Sequence, residues 1–309
     1  MLEVHHSPIA RELFRSDLRR ETSSAIREAL KEAALGLTVG REGQRLLKLV
    51  RRMEVCEVTQ QTRVLRDSDG TSYVARFNRR GCRSRFCVPC TAKNTAHDRK
   101  KAHELLDGVF EQVGEVRTLF LTLSSKNRDI DEVADMFNDH DAALRRFWRN
   151  SRVQQATLGS FTAFECDVRG TRENPEAGVH SHSVVFVDPA VFSDHRYLRQ
   201  REWAQIWGQA LRVSYRPIVD VRVVRNRDGE SGAAAVRAII PELCKYVIDP
   251  GSLVQHDAAG LTANPRVVLA LARALHRRRV QRFDRIVAKA ARKKRRQPAS
   301  RSTPNPIPA

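Results

Sequence analysis

The chain has 309 residues, 41% hydrophobic and 29% charged, which is enough apolar content for a packed core and too much for a wholly disordered polymer. Lysine and arginine total 55 against 36 aspartate and glutamate, a formal charge of +19 that favours polyanionic partners such as nucleic acid or an anionic membrane surface. No apolar run approaches the ~20 residues of a membrane-spanning helix, and the opening segment lacks a secretory apolar stretch, so a cytoplasmic protein with no membrane partner is expected.

Residues 1–50 read as an N-terminal helical region, with Gly36 and Gly40 marking an end. From Glu54 to about His97 the pattern turns irregular, with a strand-like SYVARFN, and residues 51–105 form a cysteine-rich segment. Lys93 to Val113 has helical composition. RTLFLTLSSKN then alternates Leu119, Leu121 and Leu123 against Phe120, Thr122 and Ser124, as a strand does. Apolar residues from Ile130 to Trp148 recur at helical spacing. SFTAFECDV and VHSHSVVFVDP follow as two strands, and Trp203, Ile206, Trp207, Ala210 and Leu211 mark a helix. IVDVRVV (218–224) is a further strand, and GAAAVRAIIPELCKYVI a helix that Pro241 should kink. Strands adjacent without an intervening helix predict an α+β fold, an antiparallel sheet with packed helices, over residues 106–285. Residues 277–296 carry eleven Lys/Arg against one Asp, and 286–309 read as a basic disordered tail.

Four constellations bear on chemistry. His180 and His182 lie two apart on a strand, so both imidazoles share one face and can hold one cation, or are simply two half-exposed strand histidines. Glu165, on the preceding strand, completes a two-His-one-carboxylate set for Mg²⁺ or Mn²⁺ if the two strands pair across 169–178; otherwise it is a sheet-edge carboxylate. Glu242 and Tyr246 stand at i and i+4 with Lys245 between them, which on a helix is one face and is also an ordinary solvated pattern. A tyrosine hydroxyl can attack a phosphodiester, and a nearby carboxylate can later activate water. Cys82, Cys87 and Cys90, with Cys56 or else His97 or His103 as fourth ligand, suit a structural Zn²⁺; reduced free cysteines and redox chemistry are the alternatives. Arginines outnumber lysines 45 to 10, a bias compatible with phosphate contacts and equally with genomic composition.

The order of these parts is more specific than any one of them. Cys56, CRSRFCVPC, RTLFLTLSSKN, FECDV, HSHSVVFV and PELCKYV, spread over about residues 52–285, resemble the single-tyrosine rolling-circle plasmid replication initiators (Rep proteins), within the wider HUH endonucleases. The chain departs from that pattern at Ser181 and Ser183, where bulky aliphatic residues are usual, and at Val88 and Pro89, where the family's proline comes one residue earlier. The resemblance implies metal ligation by His180 and His182 with Glu165 beside them, Tyr246 as nucleophile and Glu242 as the group that activates water. It implies nicking of one origin strand to leave a 5′-phosphotyrosine and a 3′-hydroxyl primer, and rejoining at termination. DNA contacts would come from Arg83, Arg85, Lys245, Arg277, Arg278 and Arg279. Single-stranded or hairpin origin DNA would be the substrate, with a host helicase, polymerase and single-strand-binding protein as partners. A mobilisation relaxase or transposase of the same chemistry, and a zinc-dependent nucleic-acid-binding regulator without catalysis, are the alternative readings.

Overall fold

The computed structural model describes residues 8–37, 40–66, 72–78, 81–225, 232–258 and 260–296. In chain order these form α1 (Pro8–Gly36), α2 (Arg41–Thr59), β1 (Gln60–Arg66), β2 (Ser72–Asn78), α3 (Val88–Val113), β3 (Arg117–Ser124), β4 (Arg128–Asp129), α4 (Val133–Arg149), α5 (Ser151–Ala156), β5 (Gly159–Gly170) and β6 (Pro175–Val187). They continue with α6 (Gln200–Leu211), β7 (Val219–Val223), α7 (Ala233–Leu243), β8 (Val254–Asp257), β9 (Gly260–Ala263), α8 (Pro265–Ala274), β10 (Gln281–Asp284) and α9 (Arg285–Arg296). None of the described helices is long and apolar enough to cross a membrane.

The main sheet runs β10-β5-β6-β3-β7, with β4 on β6, and every pairing in it is antiparallel. The α+β expectation of an antiparallel sheet with packed helices therefore holds. The alternation in β3 explains the two layers. Leu119, Leu121 and Leu123 point to one face and join a core with Phe137, Phe147, Trp203 and Trp207 of α4 and α6, and with α1, α2 and α8. On the other face Phe161, Val184 and Phe186 pack against Leu105, Leu106 and Val109 of α3, Val236 and Ile240 of α7, and Val287 and Ala290 of α9.

Four boundaries differ from the sequence expectation, each for a packing reason. First, the N-terminal helices do not stop near residue 50. Leu46, Val50, Met53 and Cys56 continue one buried stripe, so α2 reaches Thr59 and carries Cys56 into the core. Second, α3 begins at Val88 with Cys87 as N-cap, and Pro89 falls in its first turn, where the missing N–H costs nothing. Third, the basic run is not a disordered tail from residue 286. It is helical to Arg296, because Val287 and Ala290 bury against α3 between the cations, while residues 297–309 lie outside the described chain. Fourth, residues 281–284, inside an arginine-rich stretch, pair with β5 as β10.

Candidate active site

The β5–β6 hairpin places the sequence-marked histidines and Glu165 directly. In its register Glu165 stands opposite His180 and Ala163 opposite His182. Period-two alternation sends His180 and His182 to the face of α3, α7 and α9, and Ser181 and Ser183 into the opposite core. Glu165 Oε2 lies 3.1 Å from His182 Nε2 and 3.5 Å from His180 Nε2. Burial alone would raise the Glu165 pKa, but hydrogen bonds to His180 and His182 and their charge outweigh it, holding the carboxyl well below the usual range. The three donor atoms lie within 4.8 Å of one another, which fits a hard or borderline divalent cation with open positions for phosphate oxygens.

Three neighbours lie in the segments RTLFLTLSSKN and FECDV, where sequence reasoning assigns them no site role. Thr122 Oγ1, on β3, shares a 3.0 Å hydrogen bond with His182 Nδ1 and so orients the ring with Nε2 toward Glu165. Phe120 stacks on the same ring at 5.5 Å. Asp167 Oδ2, next along the face of β5, is 3.9 Å from His180 Nδ1. Strand alternation puts Phe120 and Thr122 on one face, but only the β3–β6 register reveals which residues they meet.

Across the sheet the two serines are satisfied. Ser181 Oγ lies 3.0 Å from His140 Nε2, and Ser183 Oγ lies 2.8 Å from Thr162 Oγ1. The family-atypical serines are thus matched by two buried polar partners instead of apolar packing. His140 is fully enclosed, and burial pushes its pKa down to about 3.

Glu242 and Tyr246 do not share a helix face. α7 ends at Leu243 with Pro241 inside it, and Tyr246 lies in the irregular segment beyond. The helix closes with the Cys244 N–H bonded to the Ile240 carbonyl at 2.8 Å, and the chain then meets β5. There the Cys166 N–H donates to the Val247 carbonyl at 2.8 Å, beyond the last β10 pairing at Ala163. Tyr246, half-buried, is therefore attached to the strand that carries Glu165. Glu242 is ion-paired with Lys245. Burial would lower the Lys245 pKa, yet Glu242 and the more distant charges of Glu165 and Asp167 raise it above the ordinary value, so this ammonium sits in the field of the site.

The cysteines converge as well. Cys56, from α2, meets Cys82, Cys87 and Cys90, and the fourth position goes to it and not to His97 or His103. Separations between sulfurs of 3.4, 3.6 and 3.8 Å approach the ~3.8 Å edge of a tetrahedron with Zn–S near 2.3 Å. Hydrogen bonds with Cys82 and Cys90, together with burial, push the Cys87 thiol up, while those from Cys82 and Cys87 pull Cys90 down to about 2. Such a set favours a thiolate-binding metal. Cys166 and Cys244 stay apart from it, buried, with burial raising each pKa to about 12.

The six basic residues expected at DNA divide in two. Arg85 donates to the carbonyls of Leu275 and Arg278 at 3.1 and 2.8 Å, and Arg278 donates to Ala274 O and Asn138 Oδ1 while covering Phe137. Both therefore brace the fold, because half-buried guanidiniums satisfy themselves on carbonyls. Arg83, Lys245, Arg277 and Arg279 are exposed.

Residues 75–304 match the profile of a protein family described as Replication protein. The chain belongs to the Rep family of replication proteins. A curated "Protein rep" of Streptococcus pneumoniae serotype 2 (strain D39 / NCTC 7466) is 29% identical over 206 residues, 65% of this chain and 60% of the relative. "Protein rep" of Lentilactobacillus hilgardii is 26% identical over 177 residues, 57% of this chain and 55% of the relative. A "Replication protein" of Staphylococcus aureus is 26% identical over 182 residues, 58% and 74% of the two chains. The chain thus spans 55% and 60% of the length of the first two of these Rep relatives. No solved structure matches. The Rep profile takes in the site hairpin and Tyr246 but begins after α2 and Cys56.

Proposed function

We propose that this Rep-family chain is a plasmid rolling-circle replication initiator that nicks one origin strand through Tyr246. The observation that carries this reading is the attachment of the Tyr246 segment to β5 beside Cys166, with Glu165, His180 and His182 converging on the adjacent face. Mg²⁺ or Mn²⁺ held by Glu165, His180 and His182 would supply a Lewis acid for the scissile phosphodiester. Tyr246 Oη attacks phosphorus and loses its proton, the bond from phosphorus to O3′ breaks, and the departing O3′ takes up a proton. The products are a 5′-phosphotyrosine and a 3′-hydroxyl able to prime synthesis, and the retained ester lets the strand be rejoined without an added energy source. Lys245, next to the nucleophile, presents a cation to the phosphate, and Glu242 orients water when the ester is to be hydrolysed. Zn²⁺ on Cys56, Cys82, Cys87 and Cys90 would tie α2 to the start of α3.

The test mixes the protein and Mn²⁺ with single-stranded oligonucleotides tiling the replicon that encodes it, and resolves the products on a denaturing gel. A DNA–protein adduct present with Tyr246 and absent in Tyr246→Phe is expected. An adduct that survives in Tyr246→Phe moves the nucleophile to another tyrosine. No adduct on any tile favours the non-catalytic nucleic-acid-binding regulator.

A further inference from the structure

A groove of about 800 Å³ runs between α2, the loop that carries Cys82 and Cys87, and the end of α8. Its helices belong to the core on the far side of the sheet from His180 and His182. Arg41, Arg45, Lys48 and Arg52 fall at i, i+4, i+7 and i+11 of α2, a single row on one helix face, about 16 Å long at ~1.5 Å per residue. Arg83 and Arg277 stand on the other two walls, and no carboxylate lines the groove among the described residues. Glu42, on α2 between Arg41 and Arg45, is bound at 2.9 Å by both Nε and Nη2 of Arg273 and reaches Arg45 only at 3.5 Å. His276, exposed at the rim of the groove, is held below the ordinary imidazole pKa by desolvation first and then by the charges of Arg45 and Arg277.

The walls are tied together before any ligand arrives. Arg52 donates to the Cys82 carbonyl, and Arg85 joins the cysteine loop to Leu275 and Arg278. Arg83 and Arg277 both adopt left-handed backbone, with φ of 57° and 54°, a conformation glycine takes with less strain. Held strain of this kind concentrates where a side chain must be aimed. Among the described residues the lining has one phenylalanine, Phe86, and it is buried. The contrast is the cleft between α3, β10 and α9, where Phe283 is 40% exposed beside Arg279 and Arg292, on the same sheet face as Glu165. Single strands are held by exposed aromatic rings and cations together, whereas a duplex keeps its bases stacked and offers phosphates.

We propose that the groove between α2, the cysteine loop and α8 binds the phosphate backbone of double-stranded DNA, separately from the single strand engaged at the Tyr246 face. The presence of a duplex to grip rests on the initiator reading above. The α2 wall precedes residues 75–304, the stretch that matches the family profile, whereas Arg83 and Arg277 lie within it.

The test is fluorescence anisotropy of the full chain with a labelled 24-base-pair duplex of mixed sequence, and with one of its strands alone, over a salt series without added divalent ion. Combined Arg41→Gln, Arg45→Gln and Lys48→Gln should weaken duplex binding at least tenfold and lower the slope of log Kd against log salt by about 2 to 3, at ~0.9 per lost phosphate contact. Single-strand affinity should change less than twofold. Arg277→Gly separates binding from folding: it relaxes the left-handed backbone, so the melting temperature should hold while duplex affinity still falls severalfold. Unchanged duplex binding in both variants, or equal losses for duplex and single strand in folded protein, overturns the proposal. The adduct gel is independent: a chain that grips duplex through this groove but never forms an adduct loses the nicking reading and keeps the groove.

Discussion

His182 shows how little of a site is carried by its motif. Its Nε2 faces Glu165, but the ring is set by Thr122 Oγ1 at Nδ1 and by Phe120 stacked beneath. Thr122→Val keeps the shape and deletes the hydrogen bond, so about a tenfold rise in the Mn²⁺ concentration for half-maximal adduct formation is expected, with the melting temperature nearly unchanged. His140 makes a prediction about acid. Its folded pKa of about 3 lies below the unfolded value near 6.5, so the unfolded chain binds the proton first. Stability is then complete above about pH 6.5 and falls as the pH drops toward 3, by at most ~1.4 kcal/mol per pH unit. Thermal melts of wild type should decline between pH 6.5 and 4.5, and His140→Gln should be flatter over that window. Glu165, whose pKa is depressed below the carboxylate value, loses its own contribution only at lower pH.

At the scale of elements, the β5–β6 hairpin carries the site, and its turn sets the register that puts Glu165 opposite His180. Gly170, which ends β5, has φ of 84°, and a Cβ there would overlap the Asn174 carbonyl oxygen. Gly170→Ala should therefore cost at least ~1–2 kcal/mol in urea unfolding, and adduct formation should fall with it because both sides of the site ride on this turn. Loss of adduct without loss of stability would mean that the turn acts on the site in some other way. The segment after α7 is the second decisive element. A helix continued through Tyr246 would have aimed that side chain by its own periodicity, whereas here a backbone hydrogen bond to β5 fixes it.

Across the whole molecule, one sheet divides two cores, and each face has its own basic cleft. The cysteine cluster stands where α2 meets the start of α3, so it couples the N-terminal helices to the sheet. Elemental analysis should find one zinc per chain. Cys82→Ser should lower the melting temperature by at least ~5 °C and speed hydrogen exchange in residues 41–56, with the sheet retained by circular dichroism. Zinc found in the chain with no change in exchange at α2 would dissociate the cluster from the groove wall.

Local pattern alone determined the four strands β3, β5, β6 and β7, the shared facing of His180 and His182, and the grouping of Cys82, Cys87 and Cys90, because periods of 2 and 3.6 and close cysteine spacing are properties of short segments. Even the stripe through Cys56 obeyed helical spacing, though the charges after residue 50 masked it. Tertiary structure decided the rest. Pairing register, which depends on residues far apart in sequence, brought Thr122 to His182 and exposed Phe283 on the sheet face that carries Glu165. Burial against α3 turned the first part of a basic tail into a helix, and an edge of β5 left free by β10 took up the Tyr246 segment. The two serines that looked like defects in the histidine strand became matched polar contacts only once His140 and Thr162 were folded against them.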